Sequence, residues 1–138
     1  MTGERSRLHH VVFAVSQERR ETVAQMFTEL GFQFNGTDLT ELGVSVQLDW
    51  DGGLELISPI PGSTAGVAVS VADFLARNGD GVYTVVLRVP DAKAAESVSE
   101  RYGSRTRFRQ SFSGDGSYLD EVELSVFNLP VTYLSTNV

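Results

Sequence analysis

Apolar positions change rhythm along the chain, and the changes mark out elements. Residues 8–15 (LHHVVFAV) are β-branched and aromatic, which predicts a strand. Over residues 17–30 the period lengthens. Val23, Met26, Phe27 and Leu30 recur at helical spacing and predict one apolar stripe, with Ser16 as its cap and Gly31 as its stop. Residues 32–34 read as a short strand ahead of a turn at Asn35-Gly36. Residues 44–50 (VSVQLDW) and 54–58 (LELIS) flank Asp51-Gly52-Gly53 and predict a hairpin. After a Pro- and Gly-containing loop, Ser70 with Asp73 three residues on predicts a short helix over 70–78.

The pattern then restarts. Residues 82–89 (VYTVVLRV) predict a strand, and Pro90-Asp91 opens a helix whose Ala95, Val98 and Tyr102 face one way until Gly103. Residues 105–112, 119–127 and 130–136 predict three further strands, the last two around a turn at Asn128-Leu129. The repeat is visible in the letters. HHVVFAV from His9 matches YTVVLRV from Tyr83, 74 positions on; LELIS from Leu54 matches TYLST from Thr132, 78 positions on. Two βαβββ modules, about 8–59 and 82–136, are each too small to bury their own sheet. They predict an α+β fold, one domain over 1–138, in which the two modules pack side by side around one cavity.

Composition narrows the function. The 138 residues carry 11 Lys+Arg against 18 Asp+Glu, a formal charge of −7. That balance disfavours nucleic acid and anionic lipid as partners. With 0 Cys, disulfides, zinc–thiolate sites and a cysteine nucleophile are excluded. Residues 1–7 carry charge without the apolar stretch of a signal peptide, and no run approaches the roughly 20 apolar residues of a membrane span. The expectation is a cytoplasmic protein.

HHVVFAV, ELGVSVQL (41–48), LELISP (54–59) and above all FLARNGDGVYTVVLRVPD (74–91) resemble the vicinal oxygen chelate superfamily, which includes glyoxalase I, bleomycin-resistance proteins, extradiol dioxygenases and methylmalonyl-CoA epimerase. The epimerase-like members resemble it most. The resemblance covers about residues 8–136. It implies a cupped mixed or antiparallel sheet in which each module gives a metal two ligands, a His from its first strand and a Glu, Gln or His from its last. On this sequence those positions carry His10 and Glu55 in module one, and Thr84 and Tyr133 in module two. Two of the four ligand types are missing. Hydroxyls of Thr and Tyr are poor ligands for a divalent cation at neutral pH. No cofactor is therefore expected, beyond a divalent metal held weakly by His10 and Glu55.

The residues themselves offer acid–base chemistry. A carboxylate beside an imidazole fixes its tautomer and raises its basicity, so Glu55 would position His10 as a general base. Tyr133 and Thr84 would give hydrogen bonds to a developing enolate of a small acyl thioester or keto compound. Each also has a plainer reading as sheet filling. Gln47 and Asp49 share a face of their strand and are substrate contacts if that face is the concave one; Trp50 is a pocket wall or a core plug. Arg105, Arg107 and Arg109 alternate, and they read as the solvated face of an edge strand more readily than as an anion site. The alternative to an isomerase or lyase is a metal-free, bleomycin-resistance-like protein that sequesters a small molecule. A homodimer is expected from the resemblance and from the need to cover sheet edges.

Overall fold

A computed structural model describes residues 5–138; the first four residues of the charged start lie outside the described residues. The chain forms two compact units, His10–Tyr83 and Thr84–Val138, the second also taking residues up to His9. The first contains β1 (Arg7–Ala14, shared at its start), α1 (Arg20–Glu29), β2 (Asn35–Leu39), β3 (Val44–Asp49), β4 (Leu54–Pro59) and α2 (Gly66–Asn78). Its strands run in the order β2-β3-β4-β1. β3 and β4 form the expected hairpin, and β1 lies parallel to β4 with Val12 opposite Glu55.

Several local expectations are corrected. Residues 32–34 form no strand; the strand is β2, and Asn35-Gly36 begin it, paired with Leu48 and Gln47. The reversal comes instead at 40–43, where Gly43 has φ +73° and a Cβ would press within 2.9 Å of Ser63 and Ala68. α1 starts at Arg20, and its cap position, Arg19, has no side-chain cap bond; Ser16 is held by its backbone N–H, which donates to Asp80. Arg19 clamps the same Asp80 carboxylate through Nε and Nη2, and this clamp holds the carboxyl below its ordinary range. α2 begins four residues earlier than its capping pattern predicts. Ser70 lies inside the helix, where its hydroxyl bonds the Tyr83 hydroxyl at 2.6 Å. Tyr83 is buried edge-on against Phe74, so it fills the layer between sheet and helix.

The second unit contains β5 (Gly81–Arg88, beginning in the first), α3 (Ala92–Glu100), β6 (Arg105–Gly114), β7 (Ser117–Val126) and β8 (Leu129–Thr136), with strand order β5-β8-β7-β6. Asp91 caps α3 by accepting from the N–H groups of Lys93 and Ala94. The buried stripe of α3 runs through Ala92, Ala95, Glu96 and Ser99; Val98 and Tyr102 are exposed. Hydrophobicity alone misplaces that stripe because its polar members are satisfied within it. Glu96 accepts from Arg109 and from the Thr106 hydroxyl. The turn between β7 and β8 is Phe127-Asn128, both with positive φ, a two-residue primed turn one position earlier than expected. A bulge between Thr106 and Phe108 breaks the arginine strip. Arg107 then reaches Glu123 at 3.2 Å, while Arg109 turns to Glu96.

The Glu96 carboxyl is held below its ordinary value of 4.5, chiefly by the hydrogen bond from Arg109. A carboxyl depressed by folding adds its full stability above its unfolded value and loses it as pH falls through the folded one. Glu96→Gln should therefore flatten the loss of stability below about pH 4.5. Urea denaturation from pH 3 to 7 reads this, and an unchanged slope would contradict it.

Candidate functional site

His10 follows three residues of β1 and Glu55 is the second residue of β4. The parallel register sets Val12 beside Glu55. His10, two residues before Val12, shares their face because side chains alternate along a strand. His10 Nε2 stands 3.0 Å from Glu55 Oε1. The imidazole is almost wholly covered and the carboxylate side chain is 17% exposed. A buried carboxylate without a partner is costly, and here the imidazole is that partner.

The same register places the remaining module-one candidates. Leu48 lies opposite Glu55 and Gln47 opposite Leu56. Leu48 therefore flanks the pair, and Gln47 lies on the other face, with Phe13 and Leu56. That face is covered by a helix, since Phe13 stacks on Phe27 of α1 at 6.0 Å. Gln47 and Asp49 do share a face, but it is the helix-covered one, opposite His10 and Glu55. Asp49 accepts from the N–H groups of Gln33 and Gly52. These bonds hold its carboxyl below the ordinary range, that from Gln33 first. It closes the hairpin turn. Trp50 begins that turn, half-buried.

Module two repeats the geometry with different chemistry. Val86 lies beside Thr132, as Val12 lies beside Glu55. Two residues before Val86 is Thr84, as His10 is two before Val12. The counterpart of His10 is therefore Thr84, 74 positions on, and the counterpart of Glu55 is Thr132, 77 positions on. The two hydroxyls bond each other at 3.0 Å, both buried. Tyr133 is displaced from the expected position. It faces α3, with its hydroxyl 2.5 Å from that of Ser99, and packs against Val89, Ala92, Val122 and Leu124. Matching leucine to leucine, Leu56 to Leu134, slips the comparison by one residue, and one residue exchanges the faces of a strand. The turn lengths carried the missing signal. Four residues, 50–53, join β3 to β4, but two join β7 to β8.

The register brings one further charge onto the face of Thr132. Glu123 is its cross-strand partner, at the position that Leu48 fills in module one. Among the described residues, no three His, Cys, Asp or Glu side chains gather as a metal site would require.

No family model and no curated protein matches the chain. Solved structures do match it. A methylmalonyl-CoA epimerase in complex with methylmalonyl-CoA and NH4+ aligns with a TM-score of 0.70 at 20% identity, over 98% of this chain and 97% of that one. A variant of Streptomyces coelicolor methylmalonyl-CoA epimerase in complex with 2-nitronate-propionyl-CoA aligns at 0.67 and 21% identity, over 96% of this chain and 98% of that one. The chain has the vicinal oxygen chelate fold. A variant of Streptomyces coelicolor 4-hydroxymandelate synthase, a longer protein with this fold, aligns at 0.66 and 16% identity, over 99% of this chain and 50% of that one. At these identities the likeness concerns the fold alone, and the chemistry must be argued from the residues.

The hydroxyl pair makes a clear stability prediction. Thr132→Val alone leaves the buried Thr84 hydroxyl without its partner and should cost about 1–3 kcal/mol. Thr84→Val together with Thr132→Val should return to within about 1 kcal/mol of the parent, since both polar groups are gone. A denaturation double-mutant cycle reads the coupling, and strictly additive losses would contradict it.

Proposed function

We propose that this protein acts as a small-molecule isomerase or lyase on an acyl thioester or keto compound, using His10 and Glu55 to move a proton beside a carbonyl. The observation that carries this reading is the 3.0 Å contact between His10 Nε2 and Glu55 Oε1 on a largely buried face. In the neutral ring with Nε2–H donated to Glu55, the acceptor lone pair belongs to Nδ1, and the carboxylate keeps Oε2. The carboxylate can take a proton at Oε2, held in place by the imidazole. The C–H electron pair goes to the carbonyl oxygen as an enolate; return of a proton to the other face completes the isomerisation, and return to the same face regenerates the starting isomer with exchange only. The acyl-CoA ligands in the names of two structural neighbours support this substrate class.

The metal that members of this fold chelate does not fit the donor set of this chain. His10 and Glu55 supply one imidazole and one carboxylate, already bonded to each other. The equivalent positions of module two supply two neutral hydroxyls bonded to each other. Two N/O donors leave a divalent cation largely to water. We therefore take the chelate to be lost, no resident cofactor to be needed, and no step to pass through a metal. The working form in this reading is a cytoplasmic homodimer.

The second reading is a sequestering protein that binds a small molecule without turning it over. The Thr84–Thr132 pair favours it, because module two offers no proton-moving group at its two equivalent positions.

Deuterium exchange separates the two. The protein in D2O, given a panel of acyl-CoA thioesters, should place deuterium at the carbon next to the thioester of at least one member, read by mass spectrometry. Glu55→Gln and His10→Gln should each slow that exchange about 10²–10⁴-fold while the far-ultraviolet circular dichroism is kept. Saturable binding with no exchange in any member would overturn the enzyme reading in favour of sequestration.

A further inference from the structure

The surroundings of the pair speak to what sits beside the reacting carbon, provided that His10 and Glu55 are the proton-moving groups. Glu55 is bordered on the β1 side by Val12 and on the β3 side by Leu48, and Ile57 follows it on its own strand. Val46 continues the face, paired with Ile57. Val12, Val46 and Ile57 are buried, whereas Leu48 is half-exposed. Leu48 is therefore the partly exposed apolar neighbour of Glu55 on this face. No Lys or Arg of these four strands lies on this face. Arg7, the cation they contain, alternates onto the other face from Leu8 and His10. A carboxylate placed here would face the Glu55 charge without a counter-ion and would lose its hydration against aliphatic side chains. In module two the position equivalent to Leu48 carries Glu123 beside Arg107, so the sheet tolerates charge at this place in the repeat. The leucine is a choice that the fold does not force.

We infer that the substrate bears an aliphatic substituent, and no carboxylate, on the carbon next to its carbonyl, and that Leu48 is the residue that selects it. A methyl or longer alkyl group gains by covering Leu48 and Ile57. A malonyl-type carboxylate is disfavoured by Glu55 and finds no Lys or Arg on this face of the four strands, so discrimination comes from a repulsive element as well as an attractive one.

Isobutyryl-CoA and methylmalonyl-CoA make a matched pair of probes, differing by a methyl in place of a carboxylate on that carbon. Calorimetric titration into the wild-type protein and into His10→Gln reads affinity apart from turnover. Isobutyryl-CoA should bind about tenfold more tightly or better. Leu48→Arg should reverse the order by supplying the missing cation. Equal or tighter binding of methylmalonyl-CoA to the wild-type protein overturns the inference, as does binding of neither thioester. Should Leu48→Arg not fold, the wild-type order decides alone. A protein that binds in the stated order but exchanges no deuterium defeats the proton-transfer reading and leaves the selectivity of this face standing. One that exchanges but prefers the carboxylate defeats the selectivity alone.

Discussion

The His10–Glu55 contact is the constraint around which module one is organised. A carboxylate and an imidazole on a strand face otherwise lined by valine, leucine and isoleucine must meet each other. They meet only if β1 and β4 hold their observed parallel register. A shift of one residue would turn His10 toward the helix layer, where Phe13 stacks on Phe27, and would leave Glu55 without its partner. The register that buries the apolar face is thus the one that assembles the polar pair. Stability and chemistry depend on the same alignment.

Module two keeps that alignment and changes what it carries. Thr84 and Thr132 occupy the places of His10 and Glu55 and satisfy each other without charge. The acid of this module stands one strand further out, as Glu123, with Arg107 brought to it by a bulge. Neutral hydroxyls at the paired positions cost less to bury than a carboxylate and need no counter-ion. The consequence is a scaffold whose two halves match in strand register but carry different polar pairs, one an imidazole and a carboxylate and the other two hydroxyls.

The α+β fold could be read from the chain because it is written in periodicities: alternating strands, a hairpin at Asp51-Gly52-Gly53, and a repeat of element order. His10 facing Glu55 could also be read, since a repeat fixes which strand positions correspond. Sequence and structure part where a single residue decides the face. Matching Leu56 to Leu134 put Tyr133 where Thr132 stands, because letters do not show that one turn has four residues and the other two. Alternation places Gln47 and Asp49 on one face, but which face is fixed by the pairing of Leu48 with Glu55, a tertiary fact. Hydrophobicity places the stripe of α3 through Val98 and Tyr102, because Glu96 and Ser99 are surface residue types whose bonds to Arg109, Thr106 and Tyr133 come only with the fold. Ser70 resembles a helix cap in sequence and instead bonds Tyr83 from within the helix.

The state of the His10 ring tests most directly whether this face is built for proton transfer or for a cation. Long-range ¹⁵N–¹H spectra at neutral pH should show Nε2 carrying a proton, with a signal that moves on Glu55→Gln and stays unchanged when one equivalent of Zn²⁺ is added. An unprotonated Nε2 that binds Zn²⁺ at one equivalent would contradict it.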